Sequence, residues 1–384
     1  MADLPTELYS EIFEPLRPIF KSHIPVREGH KDRSIYKKAV RQYADLRLIS
    51  SRLNKVLVPS VYTEIVVYID KNTRLAGLAS VFEHGANHIR RLIIVGSHQF
   101  AADRQDSAVA QVIGRGLRLC LRVNHLECYG YHHLFASRNW LHKTAPNLAS
   151  TVTSLIFSPN LELDLSYSLL GLSTQLRNLE IHFWTERRQE RPPFHLPSTM
   201  HGLTTLSLFG GSPRVKDVEK LITRATRKKT PNSEPASGLR SLVICRVPIL
   251  DADNNMMAIL SINKLHLRLT VFHWYPACRA NPHVISVVKA CPNLVDFLYT
   301  GFASNDLLCH LPPKLEHLGL HASYNNVDQV PADDLVTYIK SERCQALRTV
   351  TLIMDYGMDS RRFGDACVSS TCLGVGISYK ASDC

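Results

Sequence analysis

One spacing of apolar positions recurs through most of the chain: apolar, two residues, apolar, one residue, apolar. It is clean at Ile89/Leu92/Ile94 and returns at Val123/Leu126/Cys128, Val152/Leu155/Phe157, Leu176/Leu179/Ile181, Leu203/Leu206/Leu208, Leu239/Leu242/Ile244, Leu269/Phe272/Trp274, Leu294/Phe297/Tyr299, Leu315/Leu318/Leu320 and Leu347/Val350/Leu352. With Tyr62/Ile65/Val67 as a degenerate leading copy, successive copies start 21 to 36 residues apart, 28.5 on average. The last two apolar residues of each copy have period two, so they share one face of a short strand, while the first anchors the entry to it. One such strand cannot bury its apolar face alone. Copies stacked about 4.8 Å apart form a parallel ladder with a continuous core, and the rest of each repeat returns the chain as a helix or irregular arc. The same strand cue also fits an ordinary wound sheet of βα units, which is the alternative.

The first sixty residues lack the spacing and read as helices. Leu4, Leu8 and Ile12 form one apolar stripe with Phe13 beside them, Pro5 suits a first helical position, and Pro15 stops the helix. A polar, basic stretch follows. Helical spacing resumes from Tyr36 to about Val58, and Pro59 is expected to close it. Between the triplets, residues 213–238 form the largest insertion, an amphipathic helix to about Ala225 and then a Pro/Ser-rich loop. The tail from Arg361 carries no triplet and reads as a frayed or atypical cap.

The recurring LxxLxL spacing over residues 62–355 resembles the leucine-rich repeat. "CPNLVDFLY" at 291–299 and "APNLASTVTSLIF" at 145–157 carry the Pro-Asn-Leu approach that such repeats often show. At the N-terminus, "LPTELYSEIFEPL" at 4–16 resembles the opening of an F-box, and "ADLRLISSRLNKVLVPSVYTEIVV" at 44–67 resembles its second half, with Arg52-Leu53 where Arg-Trp is usual. Together these resemblances imply an α/β chain: an F-box-like helical domain at 1–59, with a basic insertion at about 17–35, and an irregular leucine-rich-repeat solenoid of about eleven repeats at 60–384. They also imply a role, that of a non-catalytic substrate receptor in a cullin-RING ubiquitin ligase of the SCF type. Residues carried over as contacts to a Skp-type adaptor are Leu4, Pro5, Leu8, Ile12, Phe13, Leu16, Leu48 and Ile49. The same helices also suit a cap that seals the open end of the first repeat. A leucine-rich-repeat scaffold with no ligase attached is the second reading of the whole chain.

Composition fits a globular chain, with 384 residues of which 45% are hydrophobic and 21% charged. No apolar run approaches the length of a membrane span, and "MADLPTELYSEIF" has acids where a signal peptide needs positive charge, so a cytoplasmic or nuclear location is expected. Ten cysteines show no CxxC pair, in keeping with reduced, buried thiols. The formal charge of +11 is concentrated: residues 27–41 carry a net +4 and residues 214–229 a net +5. Neither stretch interleaves basic residues with aromatics, so an acidic protein partner or an import signal fits better than nucleic acid.

No P-loop, GxSxG, HExxH, GxGxxG or EF-hand pattern occurs, and neither a cofactor nor a metal is expected: His132-His133 and the pair Cys367/Cys372 lack partners at ligand spacing. Recognition suits the pattern better. Residues between and beside the buried positions of each strand point to the opposite, concave face. That row includes Glu127, Tyr129, Glu180, His182, Phe209, His273, Tyr275, Asp296, His317 and His321. Aromatic and histidine side chains combine contact area with directed polar groups. The expected substrate-binding residues are Tyr129, His182, Phe209, Tyr275, Asp296 and His321, with the middle and C-terminal strands dominant.

Overall fold

Each apolar triplet becomes a strand. The computed structural model describes residues 38–42, 45, 51–69, 74–96, 105–129, 145–157, 175–183, 200–211, 213–227, 238–252, 255–277, 283–301, 305–322, 332–354 and 365–383. The chain divides into two units, residues 1–176 with 194–197 and residues 177–193 with 198–384.

The N-terminal unit holds β1 (Glu64–Ile69), β2 (Arg91–Gly96), β3 (His125–Tyr129) and β4 (Ser154–Phe157). All three pairings are parallel, and they bring the triplets into line: Ile65, Leu92, Leu126 and Leu155 share one row, and Val67, Ile94, Cys128 and Phe157 the next. Helices return the chain between strands. In Gln105–Leu119, Val109, Ile113 and Leu117 fall at i, i+4 and i+8 and are fully buried, as one stripe of a surface helix must be.

The C-terminal unit holds β5 (Asn178–His182), β6 (Thr205–Phe209), β7 (Ser241–Cys245), β8 (Val271–Tyr275), β9 (Asp296–Tyr299), β10 (His317–Ala322), β11 (Thr349–Met354) and β12 (Ser378–Asp383), again all parallel and in chain order. Leu179, Leu206, Leu242, Phe272, Phe297, Leu318 and Val350 form one row; Ile181, Leu208, Ile244, Trp274, Tyr299, Leu320 and Leu352 form the next, and all are buried. The widest part of this core is aromatic. Trp274 meets Tyr299 edge-on with ring centroids 5.7 Å apart, and Phe297 stacks beside Tyr299 at 6.3 Å. The indole N–H of Trp274 donates to Asp251 at 3.0 Å, which satisfies its one polar atom.

A second ladder locks the strand entries. The carbonyl of the residue after each anchoring apolar position accepts two N–H groups from the next repeat: Arg90 from Asn124 and His125, Asn124 from Thr153 and Ser154, Arg177 from Thr204 and Thr205, Thr204 from Arg240 and Ser241, Arg240 from Thr270 and Val271. Thr270, Val295 and Glu316 continue the series. This satisfies backbone groups that would otherwise be stranded where the chain bends into the strand. Both Pro-Asn-Leu approaches use their asparagine in the same way. Asn147 Nδ2 donates to the carbonyls of Leu117 (3.1 Å) and Cys120 (2.9 Å), and Asn293 Nδ2 to that of Leu267 (2.9 Å).

Each unit is thus a parallel ladder of leucine-rich-repeat type, of the α/β class, packed on one face against returning helices. One expectation is corrected. Pro59 does not close its helix: Ser51–Thr63 runs through it and ends directly at β1, with the Thr63 hydroxyl bonded to the Pro59 carbonyl at 2.7 Å. Proline removes one N–H from the helical series and crowds the carbonyl four residues earlier, and Leu57, buried two residues before it, holds the segment in place. The tail, read as an atypical cap without a triplet, supplies β12. Its register sets Gly376, Tyr379 and Ala381 where β11 has Leu347, Val350 and Leu352, so the strand forms without the apolar triplet.

Candidate functional site

The strand face opposite the helices differs between the units. In the C-terminal unit it alternates with the core rows, although Ser207 and Ile353 on it are buried. Glu180, Ser207, Val243, His273, Leu298 and Gly319 occupy the middle of successive strands, and His182, Phe209, Cys245 and Tyr275 lie beside one another toward the strand ends. His182 stacks flat on Phe209, with centroids 4.7 Å apart and planes 9° from parallel, and its Nε2 bonds to Glu180. His273 Nε2 lies 3.0 Å from Asp296 Oδ1. Each imidazole is thereby oriented by a carboxylate while part of its ring meets solvent. Leu298 lies across Gly319: a Cβ there would stand 2.8 Å from Leu298 Cγ, so glycine lets this side chain lie down on the face.

Of the expected substrate-binding residues, the structure brings His182, Phe209, Tyr275 and Asp296 onto this one face, all of them half-buried. His321 falls in β10, opposite Ile353.

The corresponding face of the N-terminal unit is closed. Ile93 is fully buried, Tyr129 is 6% exposed and Ile156 7%, and Val66 and Val95 pack against them as a second apolar cluster. Glu127 lies among them with no exposed surface. Tyr129 and Glu127, expected on an accessible surface, are corrected on this point: they belong to an interior.

A buried carboxylate needs partners, and Glu127 makes four polar contacts to three residues. Its Oε1 accepts from Arg91 Nε at 2.8 Å and from Arg91 Nη2, and lies 2.7 Å from His125 Nε2. Its Oε2 accepts the Tyr129 hydroxyl at 2.9 Å. Arg91 also donates to Glu64 Oε2 at 2.7 Å. Burial pushes the Glu127 carboxyl up, but the hydrogen bond from His125 and the charge and bonds of Arg91 outweigh it and hold the carboxyl below its ordinary value. Arg91 is pushed down by burial and up, by more, through Glu127 and Glu64. This cluster ties β1, β2 and β3 together; its geometry is that of a strut.

Sequence reasoning missed that closure, although a signal was present. β2 reads Arg-Leu-Ile-Ile-Val-Gly and β4 Ser-Leu-Ile-Phe, continuous apolar runs of the sort that a strand buried on both faces carries, whereas β5 reads Asn-Leu-Glu-Ile-His.

The expected adaptor contacts Leu4, Pro5, Leu8, Ile12, Phe13, Leu16, Leu48 and Ile49 lie outside the described residues, as do His132 and His133. Among the described residues no group of three or more His, Cys, Asp or Glu is placed to hold a metal ion, and no helix is long and apolar enough to cross a membrane. Burial pushes the thiols of Cys120 and Cys291 up to about 12, which leaves them protonated near neutral pH.

No family model matches the chain, and no curated protein does. Among solved structures, the leucine-rich repeat-containing protein LegL7 from Legionella pneumophila superposes over 83% of this chain and 90% of its own, at 13% identity and a TM-score of 0.46.

Proposed function

We propose that this chain is a substrate-receptor subunit of an SCF-type cullin-RING ubiquitin ligase, without catalysis of its own. In this reading the F-box-like segments at 4–16 and 44–67 dock on a Skp-type adaptor, and the open face of the C-terminal ladder holds the protein to be ubiquitinated. The observation that carries the binding half is the row His182, Phe209, Tyr275 with the carboxylate-oriented His273. It presents aromatic surface and directed polar groups from neighbouring strands, the composition of protein-binding hot spots. The ligase half is supported by the F-box resemblance alone. A scaffold that binds a partner and recruits no ligase uses the same face and differs only at the N-terminus.

Copurification with a Skp-type adaptor separates the two. The ligase reading expects a stable complex, weakened at least tenfold by Leu8→Ala or Ile12→Ala, each of which removes about 1.5–3 kcal/mol of apolar burial. A folded chain that ignores the adaptor leaves the scaffold. Crosslinking from the 209 and 275 positions identifies the partner in either case, and Tyr275→Ala should release it while adaptor binding stays intact.

A further inference from the structure

Along the edge where the C-terminal ladder's strands begin, the chain forms a groove of about 440 Å³ between the entries to β7, β8, β9 and β10. Arg240, Arg268 and Lys314 line it, with Gly238, Thr270 and Asn293. The lining contains three cations and no acid. Glu316, next in the column of strand-entry residues, is already engaged by Arg348 at 3.3 Å.

Among the described residues nothing pairs with the side chains of Arg240 or Lys314, and the solvent-shielded Nε of Arg268 has no hydrogen-bond partner. One end of the Arg268 guanidinium is held: Nη2 donates to the Asn263 carbonyl at 3.2 Å, and Nη1 lies so close over Gly238 that a Cβ there would stand 2.8 Å away. Burial pushes this guanidinium down from its ordinary value. A cation fixed against glycine, partly desolvated and with a donor unspent, gains more from an arriving anion than a fully hydrated lysine does. Thr270 donates its hydroxyl hydrogen to the carbonyl of Arg240 and Asn293 one amide N–H to that of Leu267, so these two chiefly shape the walls and the charge for recognition comes from the cations.

We propose that this groove binds an oxyanion-bearing side chain, carboxylate or phosphate, on an extended segment of a partner polypeptide, with Arg268 as the fixed donor and Arg240 and Lys314 as the mobile ones. The volume accommodates a few residues. The lining has no aromatic side chain on which a base could stack, which favours a peptide over single-stranded nucleic acid. The groove lies on the strand-entry edge and its argument does not use the open face, so its failure leaves the proposed function standing.

Fluorescence anisotropy on the full chain tests it with four labelled probes of equal length: a Glu-rich peptide, a phosphoserine peptide, their Gln/Ser counterpart, and a single-stranded oligonucleotide of matched charge. The expected result is binding of one or both anionic peptides, at least tenfold tighter than the neutral one, and lost at least tenfold in Arg268→Gln and in Arg240→Ala/Lys314→Ala. Lys220→Ala, on the helix Val215–Thr226, should leave it unchanged. The two peptide arms distinguish carboxylate from phosphate. Should Arg268→Gln fail to fold, the double variant decides, because both its side chains are solvent-exposed. Equal binding of the neutral peptide, retention of binding in the double variant, absence of binding by either anionic peptide, or tighter binding of the oligonucleotide overturns the proposal.

Discussion

Glu127 and Glu180 occupy the same place in their repeats, between the two core positions of the strand, yet one is wholly interior and the other half-open. Their neighbours explain the difference. In the N-terminal unit the flanking strands carry Ile93 and Ile156 in that row; in the C-terminal unit the next strand carries Ser207. The comparison teaches that a repeat ladder has one face committed to the core and one optional face. The optional face is buried where Ile93, Glu127, Tyr129 and Ile156 cluster, and is partly open at Glu180, Val243, His273 and Leu298. The proposed binding therefore falls to the C-terminal unit, whose strand face is the less buried of the two.

The largest expected effect separates the two glutamates. Glu127→Ala removes the carboxylate that Arg91, His125 and Tyr129 share, leaves Arg91 to Glu64 alone, and should cost about 3 kcal/mol. Glu180→Ala removes a partly solvated pair with His182 and should cost about 1 kcal/mol or less. Hydrogen exchange resolved by peptide is the measurement, since it reports β2–β4 and β5–β7 separately. Equal protection losses in the two regions would mean that the faces do not differ.

Removing apolar volume should show the same asymmetry. Ile93→Ala and Ile156→Ala create cavities and should each cost about 2–5 kcal/mol. His273→Ala, in the same middle row of the open face, should stay within about 1 kcal/mol. If His273→Ala matches Ile93→Ala in thermal stability, the open face is covered in solution.

These contrasts also show how far the sequence could be read. All eleven triplets fall in the strands that their spacing implies, because a mispaired strand would turn every apolar pair toward solvent, and bulky apolar residues at nearly every triplet position leave no ambiguity. β12 was not legible: Gly376 replaces the anchoring apolar residue, and its pairing with β11 is made by backbone groups that any residue supplies. The open-face residues were legible as a row, since strand alternation alone places them. The burial of Tyr129 was not, because burial depends on what the adjacent strands carry, and Val95 and Ile156 act across chain separations that a strand-by-strand reading does not join. The cationic groove was hidden for the same reason. Arg240, Arg268 and Lys314 are far apart in sequence and lie outside the basic run at 214–229 that drew attention by its charge.

Acid should act on the closed face. The Glu127 carboxyl lies below its ordinary value when folded, so its contribution is complete above the unfolded carboxylate range near about 4.3 and is lost as pH falls through the folded value. A chain titrated downward should lose protection in β2 and β3 in that window, and Glu127→Gln should lack that component of the pH dependence. Persistence of the same acid transition in Glu127→Gln would assign it to another group.

The smallest effect is expected at the centre of the open face, and it is the most discriminating. Phe209 is half-buried and its principal described contact there is the parallel stack on His182. Such a pair is worth about 0.5–1.5 kcal/mol beyond burial, so Phe209→Ala should lower stability by about 1 kcal/mol. A fully interior phenylalanine would cost about 3–5 kcal/mol instead, as Phe297 should when truncated. Comparing Phe209→Ala with Phe297→Ala, which lie on opposite faces of the same ladder, thus measures how far the optional face is open without any partner in hand. A difference of about 2 kcal/mol or more in denaturant unfolding keeps Phe209 available for binding; equal losses would place it in a closed interior, and the recognition surface would have to be sought at the strand-entry edge.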